Sequence, residues 1–366
     1  MKLYLVGGFL GSGKTTAIIQ ACRILMAAGK KVGVITNDQG KYLVDTVFMK
    51  FNEIPTVEVT GGCFCCNYRD LNSQIDILND QTKPDIIFAE SVGSCADLVA
   101  TVINPLLEYA ESYVHPLSLS VFADSRLLLR RLKDEPLPFS DDVSFIFDQQ
   151  LDEAGIMLIN KVDLLKPGEL KQLKSLVITR WPSLDKLFIS ALYQEDISSW
   201  VKLLENETPD QIGTALNLDY HRYASGEEQL AWLDQSIRIM TPNNNFREDF
   251  ISFVQSLLNE LAERRAGIGH LKFVIHQDSG STKISITTLM DTEWMSHVPP
   301  LALGECSLLI NARIEIPAKS LADIIAEKLN GSNLRFTVDT LSSFHPGEPK
   351  PAYHLSSCRI MTFRGR

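Results

Sequence analysis

The chain has no run of about eighteen apolar residues, the length a membrane-spanning helix needs, so none is expected. It has no excess of positive charge. A formal net charge of −10 argues against nucleic acid and anionic membranes as partners. Its seven histidines are dispersed rather than gathered in a tract, which argues against bulk metal storage. No internal repeat and no low-complexity stretch is visible. The first apolar stretch is broken by a glycine-rich turn and no cleavage site follows, so a secretory leader is not expected. Cysteine is scarce, seven in all, and three of those fall in one short run. That usage suits a reducing, cytoplasmic setting better than a disulfide framework. With 366 residues, 45% of them hydrophobic, the chain can bury one large or two ordinary cores.

Against these absences stands one dense feature near the start, Gly8-Phe9-Leu10-Gly11-Ser12-Gly13-Lys14-Thr15. It fits G-x-x-x-x-G-K-[ST] at every position. Glycines let successive backbone N–H groups turn inward around a phosphate chain, the lysine reaches the β- and γ-phosphates, and the hydroxyl of Thr15 serves Mg²⁺. Lys2 to Val6 reads as a short buried strand. Lys14 to Gly29 reads as a helix with apolar Ala17, Ile18, Ala21, Leu25 and Ala28. Strand, glycine loop and helix N-terminus together make an anion site.

A second signature concerns the base. The apolar run Gly155 to Ile159 ends in Asn160-Lys161-Val162-Asp163. In an Asn-Lys-x-Asp element the aspartate accepts from guanine N1–H and the exocyclic amine. Adenine leaves those contacts unpaired, which makes the discrimination strong. The lysine stem lies along the base and the asparagine holds the loop. Ser190-Ala191 follows a further strand, Lys186 to Ile189, and offers a backbone N–H to guanine O6.

Between the two lies Gly61-Gly62-Cys63-Phe64-Cys65-Cys66. Three thiols in so short a run cannot all point into one core. They suit Zn²⁺, Cu(I) or another thiophilic ion. A redox pair and inert buried cysteine are the competing readings. Cys22, Cys306 and Cys358 are scattered, and Cys22 is expected in the core of the first helix.

These motifs, with the strand ending Ala89-Glu90-Ser91-Val92-Gly93, resemble the CobW-like GTPases. Those are SIMIBI-class P-loop proteins related to the nickel-insertion GTPases of hydrogenase and urease maturation. The resemblance covers the first 200 or so residues with specific motifs. It continues more loosely to Phe344-His345-Pro346-Gly347-Glu348-Pro349. It implies that Gly8, Gly11, Ser12, Gly13, Lys14, Thr15, Thr16 and Gly93 bind nucleotide phosphates, with Asn160, Lys161, Asp163, Ser190 and Ala191 at the base. It implies Lys14, Thr15 and Glu90 as the catalytic set, Glu90 standing where other GTPases carry the aspartate of Asp-x-x-Gly. The plainer reading of Glu90 is a cap on a helix starting near Ser94. Asn37-Asp38-Gln39-Gly40 resembles the family's switch segment. There the chain departs from the family, with Asp38 and Lys41 in place of two glutamates. Cys63, Cys65 and Cys66 are the expected metal ligands, and the resemblance implies Zn²⁺ first, with Co²⁺ or Ni²⁺ as the alternatives. Cys95, two residues past Gly93, is added as a fourth because adjacent residues of an extended segment point apart and tetrahedral sites need four ligands.

The fold class expected is α/β: a doubly wound, mainly parallel P-loop sheet followed by a smaller α+β domain. The boundary falls at 208/209, within a polar linker from Glu205 to Leu218. Beyond it Gln229 to Met240 is expected as a strand and Phe246 to Arg264 as an amphipathic helix, with Asn245 and Glu248 as a capping box. Three further strands, a helix over Ser320 to Leu329 and a closing strand complete a sheet with two helices on one face. Trp232, Trp294 and the Tyr223 region are expected in the core or between domains. None of His270, His276, His297, His345 and His354 is assigned a role. The function expected is a metallochaperone-type GTPase using GTP and Mg²⁺, with slow turnover on the order of 10⁻⁴ to 10⁻² s⁻¹ unassisted. Its client is expected to be a metalloprotein or corrinoid-related protein, and a nucleotide-dependent homodimer is among the expectations. A P-loop ATPase or kinase with a structural zinc site, and a non-catalytic GTP-dependent metal sensor, are the alternatives.

Overall fold

The computed structural model describes residues 1–38, 49, 52–109, 114–206, 208–241, 245–277, 280–287, 293–300 and 304–357. Most of the expected switch segment, from Gln39 to Asp45, and Cys358 lie outside them. The first part is a seven-stranded, wholly parallel sheet in the order β3-β2-β4-β1-β5-β6-β7. Its strands are β1 (Lys2–Gly8), β2 (Val32–Asp38), β3 (Thr56–Thr60), β4 (Ile86–Glu90), β5 (His115–Asp124), β6 (Ile156–Asn160) and β7 (Asp185–Phe188). The helices between them are α1 (Lys14–Ala27), α2 (Tyr68–Thr82), α3 (Asn104–Tyr109), α4 (Ser125–Leu132), α5 (Asp141–Asp152), α6 (Pro167–Arg180) and α7 (Gln194–Leu204).

Strands β4 and β6 are buried at every residue, as a parallel sheet covered on both faces requires. Two apolar layers result. One gathers Leu3, Leu5, Ile87, Val121 and Ile159, and the other Tyr4, Val6, Phe88, Phe122 and Leu158. Alternate residues of each strand serve opposite layers, as period-two geometry dictates. The chain changes direction of winding around β1, which pairs β4 on one side and β5 on the other. Ligands bind doubly wound sheets at such switch points, outside the carboxyl ends of the strands.

The expected linker is not a free tether. Gln211 is buried, and its Nε2 donates to Leu203 O at 3.1 Å. Thr214 N donates to Glu153 O at 3.3 Å. A helix that the sequence pattern did not reveal follows, α8 (Tyr220–Gln229). Asp219 caps it, accepting from the N–H groups of His221 and Arg222. Its Tyr223, Ala224, Gly226 and Glu227 are buried. Gly226 touches Asp142 O so closely that a Cβ would overlap it, so α8 packs directly on α5.

The second sheet is antiparallel, in the order β10-β9-β11-β8-β12. Its strands are β8 (Leu230–Thr241), β9 (Gly267–Gln277), β10 (Gly280–Ile286), β11 (Gly304–Glu315) and β12 (Arg335–Phe344). Helices α9 (Phe246–Glu263) and α10 (Ala318–Asn330) cover one face. Asn245 is the N-cap of α9 as expected, yet its side chain makes no capping bond. One half of such a box forms on α6, where Glu169 Oε2 accepts from Lys166 N at 2.9 Å. Trp294 is buried in this second core, whereas Trp232 belongs to the first.

Candidate functional site

The loop from Gly8 to Gly13 leaves the end of β1 and enters α1. Gly13 has φ +94°, and a Cβ there would run into Asn160 Nδ2, so the motif's last glycine leaves room for the base-side loop. Lys14 is buried and folds back on the loop, its Nζ donating to Gly8 O at 2.6 Å and Phe9 O at 3.3 Å. Thr15 Oγ1 donates to Glu90 Oε1 at 2.9 Å. Glu90 thus faces the phosphate loop from the end of β4, and no α-helix begins at Ser94: Gly93 and Ser94 form a turn, and a π-helix spans Val99–Ile103. Ser12 Oγ is buried with no partner among the described residues, an orphan hydroxyl of the kind a bound phosphate oxygen satisfies.

Asn160 joins three segments. Its Nδ2 donates to Ser12 O at 2.7 Å, and its Oδ1 accepts from Ala191 N at 2.8 Å. Lys161 sits in the left-handed region at φ 63°, and its Nζ lies 3.0 Å from Asp124 Oδ2. Asp163 is exposed in the short turn Val162–Leu164. Ser190 N donates to Asp196 Oδ2 at 2.7 Å, which orients the Ser190–Ala191 loop. Asp124 and Arg126 had not been singled out. Burial works against ionisation of the Asp124 carboxyl, but Lys161 and Arg126 outweigh it and hold the group well below the usual carboxylate range. Asp124 also caps α4, so its position at the end of β5, before a helix, was the available signal.

The cysteine run is a tight turn, not an extended segment. Cys66 N and Asn67 N both donate to Cys63 O, at 3.1 and 2.9 Å. The turn brings the sulfurs of Cys63, Cys65 and Cys66 within 4.8 Å of one another. Cys63 and Cys65 stand in disulfide contact, and Cys66 Sγ lies 3.3 Å from Cys63 Sγ and 3.8 Å from Cys65 Sγ. Cys95 is not a member of this group. It is buried in the turn after Gly93, and burial pushes its thiol far above the ordinary range. Near it lie Glu227, whose carboxyl burial lifts to about 7 against the Ser94 hydroxyl, and Glu153, which burial and Asp97 also raise well above the usual carboxylate range.

Two connections were invisible in the sequence. The first is Asn37 at the end of β2. Its Nδ2 donates to Val59 O at 3.0 Å and Gly62 O at 2.7 Å, and its Oδ1 accepts from Phe64 N at 2.9 Å. Asn37 also lines the cavity over the phosphate loop, with Lys14, Thr15, Glu90 and Gly93. The second is the segment after β12, which crosses the cysteine turn. Lys350 N donates to Cys66 Sγ at 3.2 Å and Ala352 N to Cys65 O at 2.9 Å. Tyr353 packs edge-on to Tyr68, and His354 Nε2 lies 3.0 Å from Asp97 Oδ2.

A sequence profile described as CobW/HypB/UreG, nucleotide-binding domain, matches residues 2–180. The chain is 28% identical over 195 residues to a protein named zinc chaperone CobW from Sinorhizobium sp, covering 48% of this chain and 54% of that one. It is 31% identical over 173 residues to zinc chaperone YeiR from Escherichia coli strain K12, covering 44% of this chain and 47% of that one. The nickel complex of HypB from Helicobacter pylori aligns over 59% of this chain and 91% of its own, at 15% identity and a TM-score of 0.42. The chain spans about half the length of the relatives it matches.

Proposed function

We propose, from the premise that residues 2–180 belong to the CobW/HypB/UreG nucleotide-binding family, that this chain binds and hydrolyses GTP and couples the nucleotide state to a metal cargo. The cargo is a thiophilic transition metal, zinc first, held by Cys63, Cys65 and Cys66. Gly8, Gly11, Ser12, Gly13, Lys14, Thr15 and Thr16 hold the phosphates, and Gly93 N–H senses the terminal one. Lys14 leaves Gly8 O and Phe9 O for the β- and γ-phosphates when nucleotide enters. Mg²⁺ would be held by Thr15 Oγ1 and the Glu90 carboxylate, two oxygens already 2.9 Å apart beside the loop. When bound, it neutralises charge on the phosphate oxygens. Asp163, exposed at the mouth of the base site, accepts from guanine, while Asn160 keeps that loop locked to the phosphate loop.

The observation that carries the coupling is Asn37. One side chain borders the phosphate cavity and makes three hydrogen bonds that shape the cysteine turn. A terminal phosphate that shifts the end of β2 therefore shifts the carbonyl of Gly62 and the N–H of Phe64 on either side of Cys63. Two sites that bias one bistable element must affect each other equally. The zinc-chaperone names of the relatives support the choice of cargo. Residues 1–208 act as the nucleotide and metal unit and 209–366 as a second domain, with a metalloprotein as client and a nucleotide-dependent homodimer as the working assembly.

Guanine selectivity tests the nucleotide half of this reading. Asp163→Asn is expected to weaken GTP binding at least tenfold, because a charge-assisted pair worth about 1.5–3 kcal/mol is lost. Titration of a fluorescent GTP analogue against GTP and ATP competitors measures it. Equal displacement by ATP and GTP from the parent protein would place the chain with P-loop ATPases instead.

A further inference from the structure

The second sheet has two unlike faces. Leu271, Phe273, Ile284, Ile286, Ile310 and Ala312 point to α9 and α10 and form the apolar core. Strand alternation sends their neighbours to the other face, and that face roofs the phosphate loop. Leu10 lies against Gly269 of β9, and Gly11 against Thr287 just past β10. Lys272, Lys283, Ser285 and Arg313 of this face line the same cavity as Lys14, Thr15, Asn37, Glu90 and Gly93.

Three cationic side chains of the second sheet reach that cavity. Arg313 is engaged within its own domain: its guanidinium is 3.1 Å from Asp234 Oδ1 and lies 3.9 Å over the Trp232 ring. Lys272 sits directly across from Ser285. Lys283 is two residues along β10 on the same face, so the two lysines are diagonal neighbours, about 7–8 Å apart at their backbones. With Lys14 they bring three ammonium groups to the cavity that Glu90 also lines. A polyanion seated on the phosphate loop would meet these ammonium groups at short range in a partly desolvated cavity, where charge attraction is strong.

The geometry also says which part of the nucleotide they meet. The cavity is bordered by Thr36, Asn37, Glu90 and Gly93, the end of the loop beyond Lys14. Strand β10 runs from there toward the base side, where Thr287 Oγ1 accepts from Lys161 Nζ at 3.0 Å and from Arg126 at 3.1 Å. Lys283 and Lys272 therefore stand at the terminal-phosphate end and Thr287 at the other.

We propose that Lys272 and Lys283 contact the terminal phosphate of the bound triphosphate. The second domain then supplies, in cis, the cations that distinguish GTP from GDP, and the triphosphate draws the two domains together. This rests on the nucleotide reading of the phosphate loop. A terminal phosphate adds charge where the two lysines converge, so their contribution falls on GTP and not on GDP.

The test is equilibrium binding of GTPγS and of GDP to the full chain, for the parent, the double variant K272Q/K283Q and the double variant K272R/K283R. The glutamine pair is expected to weaken GTPγS at least tenfold and GDP less than threefold. The arginine pair is expected to recover most of the loss. Retained GDP affinity shows in the same experiment that the variant is folded. An unchanged GTPγS-to-GDP ratio in K272Q/K283Q, with the parent binding both nucleotides, overturns this inference alone. Failure of the parent to bind either nucleotide overturns it together with the nucleotide reading.

Discussion

Lys14→Ala is expected to lower GTP turnover by at least a hundredfold while leaving a folded protein. The magnitude follows from what removal of one preorganised charge at a developing anion costs, about 10² to 10³ in rate. The fold should persist because Lys14 Nζ reaches the backbone carbonyls Gly8 O and Phe9 O and packs no apolar side chain of the core layers. Water entering the emptied volume can satisfy both. Phosphate release under saturating GTP measures the rate, and a thermal melt by circular dichroism checks the fold. Turnover within threefold of the parent, in a variant with an unchanged melt, would remove the phosphate loop from the chemistry.

Replacing Cys63, Cys65 and Cys66 together by serine is expected to lower zinc affinity by at least a thousandfold. Thiolates are the ligands zinc prefers, and a full structural site is worth about 10–16 kcal/mol. Three sulfurs within 4.8 Å of one another can close on one ion with little rearrangement, since the turn around Cys63 O already converges them. Cys95→Ser is expected to change that affinity less than threefold. Its thiol is buried and is not one of the three grouped sulfurs, so the fourth position is expected to fall to water, another side chain or a client. Competition against a chromophoric zinc chelator, under reducing and oxygen-free conditions, separates the variants. Full zinc affinity in the triple variant would assign the cysteine turn to redox chemistry or packing.

The strands of the first sheet were legible because each is a short apolar run ending in turn residues: β1 before Gly8, β4 before Glu90, β6 before Asn160. The second sheet was legible from alternation, as in Leu271, Phe273 and Ile275 against Lys272 and Val274. Local signals failed where packing decides. Tyr220–Gln229 carries no apolar stripe and is helical because Asp219 caps it, Gly226 fits against α5 and Tyr223 Oη accepts from Ala96 N. The thiols were expected to diverge as in a strand, and converge because Cys63 O accepts from two N–H groups of a turn. Which residues meet across the chain was not readable at all. Asp124 reaches Lys161, Asn37 reaches the cysteine turn, and the polar face of the second sheet reaches the phosphate loop. Each of these depends on strand order and on the docking of one domain against the other, and neither leaves a periodic trace in the sequence.

The central claim is that nucleotide state and metal occupancy act on one element, and the most direct measurement is zinc affinity of the reduced full chain with GTPγS, with GDP and without nucleotide. The account expects the GTPγS and GDP states to differ in zinc affinity by at least fivefold, the lower end of typical coupling. Zinc should then shift the GTPγS-to-GDP affinity ratio by the same factor. Identical zinc affinity in the two nucleotide states, in a protein that binds both nucleotides and zinc, would contradict it.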